Sequence, residues 1–327
     1  MVLYDTIPHL FLKLLRRKIY PVFFKSHELP QIECEENLDK SNRLIYDTLM
    51  AKAPCMIARL GANEMSVTAN YLGVKNGKTG ILDYIRGEGY EWWWNEHTIM
   101  QLWQNAGVWP SDHDTVARFS ELMIRCASKV DILGSWLRDE YYLKDELSNA
   151  KKVHLFSLEP FFSRNPWTKA LEGKRVLVVH PFEDTIIRQY HQREKLFDNA
   201  DILPEFELLT YRSVQSLGGS DDYENWFDAL EHMENRIDGL DFDIAIIGCG
   251  AYGFPLAAHI KQTGRKAVHL GGVTQLLFGI RGKRWDNPNN FMCKYGYYPD
   301  LINEYWCRPD KSETPTCVGK IEGGCYW

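Results

Sequence analysis

Residues 56–72 read Met-Ile-Ala-Arg-Leu-Gly-Ala-Asn-Glu-Met-Ser-Val-Thr-Ala-Asn-Tyr-Leu, and this stretch decides the fold class. The apolar run at residues 56–58 predicts a buried strand, Gly61 predicts a turn, and residues 65–72 predict a helix. A strand, a tight turn and a helix in this order are the repeating unit of a parallel α/β sheet. The stretch therefore predicts a core strand followed by its crossover helix.

The same alternation of strand and helix signals continues along the chain from residue 41. Arg175–His180 is a near-continuous apolar run, which is typical of a parallel strand buried on both faces. Ser111 and Asp114 resemble a capping box that opens a helix. Other strands are predicted at residues 130–134, 153–156, 206–214, 242–247 and 267–270, and helices at residues 41–52, 92–105, 183–197 and 222–237.

These signals predict an α/β fold, a doubly wound and mostly parallel Rossmann-like sheet over residues 41–287. A basic amphipathic arm at residues 1–40 precedes this domain. A loop-rich tail at residues 288–327, packed on the domain, follows it. We find no internal repeat and no Gly/Ser linker.

The composition argues against one class of partner. Of the 327 residues, 45% are hydrophobic and 25% are charged, as in ordinary soluble globular proteins. The net charge is −6, and the body of the chain has no basic tract. Because nucleic-acid binding depends on clustered Lys and Arg, we expect no nucleic-acid partner.

The 8 cysteines follow no pairing motif, since no Cys-x-x-Cys occurs. Four lie in or beside predicted core elements and four lie in the tail, without a neighbouring histidine. Free cysteines in a reducing cytoplasm are the favoured interpretation, with a zinc site or disulfides in the tail as the alternatives. The tail cysteines are Cys293, Cys307, Cys317 and Cys325.

The arm carries a marked charge asymmetry. Its basic residues Lys13, Arg16 and Arg17 lie on one side of a helical wheel and its leucines on the other, and Pro21 is expected to end the helix. The helix is too short and too charged to span a bilayer. Two interpretations stay open: residues 8–20 bind an anionic membrane surface, or the helix docks on the body of the protein.

Two side chains in the first turn suggest a ligand site. Arg59 ends the predicted strand and Glu64 opens the helix, where open α/β sheets bind ligands. An arginine at this place suits phosphate, and a glutamate can hold a metal or move a proton. The structural alternative is a glutamate favoured by the helix N-terminus and a surface arginine.

A second candidate site is the glycine-rich run Gly248-x-Gly250-x-x-Gly253, which follows a predicted strand and precedes a helix. This context predicts a phosphate or nucleotide site, with a simple tight turn as the alternative. A dinucleotide fingerprint also needs an acid at the end of the next strand, where this chain has His269. A nicotinamide cofactor is therefore less favoured.

Further candidates follow other strands. His180 ends the apolar strand, where it suits a diphosphate or proton transfer, or is a structural histidine. The glycine-rich run at residues 271–279 ends another strand, and the basic residues Arg281, Lys283 and Arg284 that follow it again suit an anion. The three tryptophans at residues 92–94 are candidates for stacking a sugar ring or for the core. Two Asp-x-Asp triplets, at residues 112–114 and 241–243, are expected to be solvated caps.

Taken together, these stretches resemble the GT-D-type glycosyltransferases, bacterial enzymes that transfer a sugar from a nucleotide donor. That family has an Arg-Phe-Gly-Asp-Gly-Glu turn after its first core strand, and the matching stretch here is Arg-Leu-Gly-Ala-Asn-Glu at residues 59–64. The family's late strand–loop–helix–strand unit is similar to residues 243–272. The likeness covers residues 41–285.

The resemblance implies a nucleotide-sugar donor, a catalytic role for Glu64 and His180, and a Mn²⁺ or Mg²⁺ ion at Glu64. The residues expected to bind the nucleotide sugar are Arg59, Gly61, Asn63, Gly248, Gly250, Ala251, Tyr252 and His269. One position departs from the family: Ala62 stands where the first acid of its Asp-x-Glu belongs. Since Glu64 alone is a poorer metal site, Arg59 and His180 are the alternative for neutralising the leaving diphosphate.

The expected function is the transfer of a sugar from a nucleotide-diphosphate sugar to a polysaccharide or glycoconjugate acceptor in surface glycan assembly. The expected location is the cytoplasm, peripheral on the inner face of the plasma membrane. Two alternatives stay open. One is an NAD(P)-dependent oxidoreductase that uses the late glycine run. The other is a non-catalytic scaffold of a polysaccharide assembly complex, which the missing acid at Ala62 favours.

Overall fold

The computed structural model describes residues 6–77, 80–89, 91–216, 222–286, 294–314 and 324–327. Its centre is a sheet of seven strands in the order β3-β2-β1-β7-β6-β4-β5, and every pairing is parallel. The predicted doubly wound α/β fold is confirmed. The strands are β1 (Cys55–Ala58), β2 (Ile132–Ser135), β3 (Lys151–His154), β4 (Arg175–His180), β5 (Glu207–Arg212), β6 (Ile244–Ile247) and β7 (Lys266–His269).

Helices connect the strands and cover both faces of the sheet. They are α1 (Ile7–Leu14), α2 (Tyr20–Phe23), α3 (Leu38–Met50), α4 (Ala62–Asn76), α5 (Ile81–Arg86), α6 (Glu96–Gln101), α7 (His113–Ala127), α8 (Glu183–Tyr190), α9 (Trp226–Asp238), α10 (Gly253–Gln262), α11 (Thr274–Leu277) and α12 (Lys283–Asp286). Single π-helical turns follow α1 and α6, and short 3₁₀ turns fill many connections.

Side-chain alternation along the strands divides the core into two layers. Leu177 and Val179 of β4 pack with the layer formed by α4, α7, α9 and α10, whereas Val176 and Val178 pack with the layer formed by α3, α8 and α11. Both layers are apolar because a central parallel strand is buried on both faces. This explains why the β4 sequence is apolar almost without interruption.

Some predicted boundaries were wrong because local capping decides where a helix begins. The predicted helix at residues 92–105 begins at Glu96, where the Asn95 side chain accepts from Thr98 N at 3.3 Å. The expected capping box at Ser111 is one residue early. Asp112 is the N-cap of α7, and its carboxylate accepts from Thr115 N at 2.8 Å. An aspartate at this position satisfies one of the open N–H groups of the first turn.

The arm also differs from its prediction. Helical structure continues past Pro21 to Phe23, and the π-helical turn Leu15–Ile19 lies directly before it. A proline lacks an N–H and its ring crowds the preceding turn, and such irregular turns are a common way to accommodate it. Among the described residues, no helix has the length and apolar character needed to cross a bilayer.

The described parts of the tail pack on the sheet domain, as expected. Cys307 forms a parallel bridge with Ile280, and the indole N–H of Trp306 donates to the carbonyl of Leu196 at 3.0 Å. The Tyr298 hydroxyl donates to the buried carboxyl of Glu159 at 2.5 Å. Cys293 and Cys317 lie outside the described residues.

We expect Trp226→Ala to lower the free energy of unfolding by about 3–5 kcal/mol, because it removes a large side chain that is fully buried. The Trp226 ring stacks on Tyr252 at a centroid distance of 4.9 Å and meets Phe119 edge-on. The control is Met50→Ala, which truncates a side chain that is 48% exposed and costs little. Chemical denaturation measures both, and equal losses would contradict this account of the core.

Candidate functional site

A cavity of about 630 Å³ lies at the carboxyl-terminal edge of the sheet. Its volume falls within the usual range for small-molecule sites. Six of the seven strands contribute residues at or just after their carboxyl ends. The strand-end residues that line it are Trp136 after β2, Arg59 after β1, His269 of β7, Gly248 after β6, His180 of β4 and Ser213 after β5.

The cavity brings together nearly all the site residues predicted from the sequence. Those among its lining residues are Arg59, Gly61, Asn63, Glu64, His180, Gly248, Gly250, Tyr252 and His269. Ala251 is the exception: it is buried inside the glycine turn and is not among the described residues that line the cavity. Strands that are far apart in the chain meet here because they pair in parallel.

Arg59 is the central cation of the site. Its guanidinium lies over the ring of Trp136, 5.1 Å from the centroid, and its side chain packs against Gly271. Within the described part of the chain, this guanidinium has no hydrogen bond or ion pair. Burial lowers the pKa of Arg59, and the nearby Glu64 charge opposes that effect. An unpaired guanidinium in a largely desolvated cavity is a strong attractor for an anion.

Trp136 is fixed from behind. Its indole N–H donates to the carbonyl of Leu60 at 3.0 Å. The buried carboxyl of Glu140 accepts from the Ser135 hydroxyl and from the backbone N–H groups of Trp136 and Leu137. These bonds hold the indole in place beneath Arg59. The sequence signal for Trp136 is its position after a strand, which is shared with Arg59 but is not specific.

Glu64 is folded back over the start of α4. A β-carbon at position 61 would lie 1.9 Å from Glu64 Oε2, so only glycine leaves room for this carboxylate. Gly61 is the N-cap of α4 and Glu64 is the third helical residue. This is the place from which a glutamate reaches back toward the N-cap in a capping box. The arrangement explains why the turn contains glycine, and it holds the carboxylate at the edge of the cavity.

His180 is neutral and oriented. Its Nδ1 accepts a hydrogen bond from Phe182 N–H at 3.0 Å, and burial lowers the pKa of the ring to about 3. A neutral imidazole that accepts at Nδ1 carries its proton on Nε2. The ring is therefore suited to donate a hydrogen bond to an anion rather than to exchange protons at neutral pH.

His269 is also buried and neutral. Burial, and next the charge of Arg59, lower the pKa of this imidazole to about 3. Its Nδ1 is buried and has no hydrogen-bond partner among the described residues. The ring packs directly on Gly253, where a β-carbon would lie 2.5 Å from Cε1. The third glycine of the run is thus required for close packing of α10 on β7.

The other two glycines of the run are also needed for the local structure. Gly248 passes so close to the next loop that a β-carbon would lie 2.6 Å from Thr274 Oγ1. Gly250 has φ of +58°, which favours glycine. Tyr252 does not present a free ring to the cavity, because it stacks on Trp226 and its hydroxyl shares a hydrogen bond of 2.7 Å with Ser216. It is a wall of the cavity.

The end of the tail also lines the cavity, which no motif in the sequence indicates. The Tyr326 ring packs on Gly272, and the Arg284 guanidinium lies 4.7 Å above that ring. Arg284 Nη1 donates to the Tyr326 hydroxyl at 3.1 Å, and Gln275 donates to the Tyr326 carbonyl at 3.1 Å. The positive charge of Arg284 is close enough to lower the pKa of Arg59. Two guanidiniums therefore face one cavity.

The side chains around Glu64 do not fit a metal ion held by the protein. The methyl group of Ala62 replaces the second carboxylate, and Arg59 places a cation nearby. In the described ranges, no group of three or more His, Cys, Asp or Glu side chains is arranged to hold a metal. Mg²⁺ and Mn²⁺ prefer several oxygen ligands, and this donor set offers one carboxylate.

The tryptophans at residues 92–94 do not line the cavity. Trp93 is buried and stacks on His9, and Trp94 stacks on His113. Trp92 meets Trp93 edge-on. They join the arm and α7 to the domain. The structure therefore supports a packing role for these residues rather than the stacking of a sugar ring.

The Asp-x-Asp triplets also have structural contacts. Asp112 is the α7 cap described above. Asp243 accepts from the backbone and the side chain of Arg175, and Asp241 pairs with the same guanidinium. They join the beginnings of β4 and β6, at the edge of the sheet away from the cavity.

Comparison of this chain with protein-family models, curated proteins and solved structures finds no match. The resemblance to the GT-D-type glycosyltransferases therefore stays a prediction. It depends on the turn at residues 59–64 and on the late glycine unit, both of which the fold places at the cavity.

The buried histidines make stability depend on pH. An unfolded histidine takes up a proton near its usual pKa of about 6.5, whereas folded His180 does so only at about 3. Between these values the unfolded state holds more protons, so the free energy of unfolding falls as the pH falls, by up to about 1.4 kcal/mol per pH unit. We expect His180→Asn, which keeps an acceptor for Phe182 N–H, to remove this contribution.

The measurement is urea denaturation of wild type and His180→Asn from pH 7 to pH 4.5. The stability difference between the two proteins should shift in favour of the variant as the pH falls. The matched variant His191→Asn removes an exposed imidazole. A His180→Asn difference that stays constant with pH would show that His180 titrates normally in the folded protein.

Proposed function

We propose that this protein is a glycosyltransferase that uses a nucleotide-diphosphate sugar. The observation that carries the proposal is the Arg59 guanidinium, which has no hydrogen bond or ion pair among the described residues and which lines, together with Arg284, a cavity at the carboxyl ends of the strands. Among the described residues that line this cavity, the charged side chains are two arginines and one glutamate, and His180 and His269 are neutral. Such an environment favours an elongated anionic ligand such as a diphosphate.

Helix geometry adds to this attraction. α4 has 15 residues and begins at Ala62, and residues 61–64 of its first turn line the cavity. The positive end of a helix dipole stabilises phosphate at such a position. Gly248 and Gly250 allow the backbone after β6 to approach the same ligand closely.

In the proposed reaction, the anomeric carbon of the sugar passes from the diphosphate oxygen to the oxygen of the acceptor hydroxyl, which loses its proton. The nucleoside diphosphate leaves with the electron pair of the broken bond and so gains negative charge. Arg59 and Arg284 are placed to stabilise that charge, and Nε2–H of His180 can donate one further hydrogen bond. This assigns to cationic side chains the task that a metal ion has in the resembling family. His180 then acts as a hydrogen-bond donor rather than as a proton carrier.

Glu64 is the carboxylate available at the same edge of the cavity. We propose that it serves as the catalytic carboxylate for the sugar or the acceptor hydroxyl. Its fixed position over Gly61 supports this role, since a preorganised group loses little entropy on binding. The acceptor in this proposal is a polysaccharide or glycoconjugate, as the family resemblance implies.

We further propose a cytoplasmic location, peripheral on the inner face of the plasma membrane. Free cysteines support a reducing compartment: among the described residues, Cys34, Cys55, Cys126, Cys249 and Cys307 form no disulfide. The support for a membrane surface comes from the arm.

The ligand class is tested by thermal unfolding with UDP-, GDP- and CMP-sugars, NAD and NADP, each with and without Mn²⁺. A ligand at about 100 times its Kd stabilises the folded protein by about 2.7 kcal/mol. We expect one nucleotide-sugar class to raise Tm without a requirement for Mn²⁺. We expect Arg59→Gln to abolish the shift without lowering the Tm of the ligand-free protein, because a partly desolvated cation without a carboxylate partner does not stabilise the fold.

The matched control is Arg188→Gln, which removes an exposed arginine paired with Asp310 on the surface. It should leave the ligand-induced shift unchanged. Stabilisation by NAD or NADP alone would favour the oxidoreductase alternative. No binding and no turnover with any nucleotide sugar would favour the scaffold.

Glu64→Gln separates a chemical role from a structural one. The amide keeps the size and the hydrogen-bond acceptor of the side chain but removes its charge. We expect loss of sugar transfer by at least about 100-fold, with a Tm close to wild type, because a general base or nucleophile needs the carboxylate. Product formation is measured with the donor identified above. A variant with full activity, or one that unfolds, would show that Glu64 acts only at the helix N-terminus.

A further inference from the structure

The large exposed apolar side chains are concentrated in one region. Of the 14 such side chains among the described residues, 10 lie in the arm and in α5, whereas the other four are scattered. We call this set the arm patch. Its members are Ile7, Leu10, Phe11, Leu14, Ile19, Val22, Phe23, Phe24, Ile81 and Leu82. Contiguous apolar exposure of this kind marks an interaction surface.

The polar side of the arm faces the body of the protein. Arg16 donates to the carbonyl of Gly89 at 2.8 Å and lies 4.6 Å over the Tyr84 ring. Lys13 pairs with Glu91 at 3.7 Å, and its side chain is only 12% exposed. The arm is therefore held on the domain mainly by cations and by the stacking of His9 on Trp93.

This orientation is the reverse of that in an ordinary surface helix. A surface helix of a globular protein packs its apolar stripe on the core and turns its charges to water. Here Leu10, Phe11 and Leu14 of α1 are 53%, 56% and 48% exposed, although α1 is docked. The two interpretations of the arm are thus compatible, because the helix docks through one side and presents the other.

α5 extends the same surface. Tyr84 of α5 is buried beneath Arg16, which joins this helix to the arm. On α5, Ile81 and Leu82 are 45% and 65% exposed. The patch is therefore built from two segments that are about 60 residues apart in the chain. A helical wheel of the arm alone does not show the part that α5 contributes.

The exposed charges of the arm before Glu28 are all positive. Arg17, Lys18 and Lys25 are exposed, Arg17 lies 4.0 Å from Glu91, and residues 6–27 contain no Asp or Glu. On α5 the exposed charges are Asp83 and Arg86, one of each sign. The whole chain has a net charge of −6, so this basic segment is a local exception. A second copy docked by twofold symmetry would bring these cations against each other. An anionic bilayer surface complements both the apolar side chains and the cations.

We propose that the arm patch binds the surface of an anionic phospholipid bilayer, with the arm lying in the interface plane and the folded domain in water. The aromatic side chains Phe11, Phe23 and Phe24 enter the boundary between headgroups and acyl chains, and Arg17, Lys18 and Lys25 contact phosphate groups. This inference deepens the peripheral location proposed above, since it names the binding surface and the charge of the lipid, and it does not depend on the proposed sugar transfer.

The test is flotation of the full chain with vesicles of phosphatidylcholine alone or of phosphatidylcholine with phosphatidylglycerol. We expect binding to the anionic vesicles, weakened by high salt. The triple variant Arg17→Glu, Lys18→Glu, Lys25→Glu should lower the partition coefficient by at least about tenfold. The double variant Phe11→Glu, Phe23→Glu should lower it by a similar factor, because it removes buried apolar area.

Matched controls remove the same residue types from elsewhere on the surface. Lys52→Glu reverses an exposed cation outside the patch, and Met50→Glu replaces an exposed apolar side chain. Both should bind vesicles like wild type. Unaltered Tm of all variants shows that the domain is folded, and nucleotide-sugar binding in solution reports on the proposed activity separately.

Two results would overturn the proposal. One is the absence of vesicle binding by a monomeric, folded protein. The other is a wild-type protein that does not bind vesicles but self-associates in light scattering, with the self-association abolished by Phe11→Glu, Phe23→Glu. The patch would then be an interface between copies. Equal binding to neutral and anionic vesicles would refute the assigned role of the cations.

Discussion

The parallel pairing of β1 with β7 brings together two segments that lie about 200 residues apart in the chain. In this register Ala58 lies beside His269, so the turn that begins with Arg59 meets the loop that begins with Leu270. Arg59 packs against Gly271 of that loop, and its charge contributes to the low pKa of His269. The turn after β1 and the glycine-rich loop after β7 thus form one site, because these two strands are paired in the sheet.

The same edge of the sheet shows how glycine is used for close approach. Gly61 leaves room for the Glu64 carboxylate, Gly253 for the His269 ring, and Gly272 for the Tyr326 ring. In each case a β-carbon would lie 2.5 Å or less from the neighbouring side chain. The three glycines therefore leave room for the carboxylate, the imidazole and the phenol. Gly61 and Gly253, which the sequence predicts to lie in ligand-binding turns, thus also have a packing role.

The charges in the cavity depend on which of its side chains are buried. The two imidazoles are neutral because burial opposes their protonation, and Arg59 is a cation that pairs with no carboxylate in the part of the chain that the structure describes. The second guanidinium, that of Arg284, is held by the Tyr326 ring and hydroxyl. A site with this balance of charges is suited to bind an anion and to stabilise negative charge that develops during a reaction.

The sequence alone determined the strand–turn–helix units and the residues at the strand ends, because apolar periodicity and glycine placement are local properties. It therefore predicted that Arg59, Glu64, His180 and the late glycine run lie at the ends of strands, where the cavity is found. Only the tertiary structure decided the strand order, the position of Tyr326 at the cavity and the side of the arm that faces outward. Each of these depends on contacts between residues distant in the chain, such as Tyr326 with Gly272 or Lys13 with Glu91. A helical wheel gives an amphipathic helix two faces, but the complementary groups on the rest of the fold choose between them.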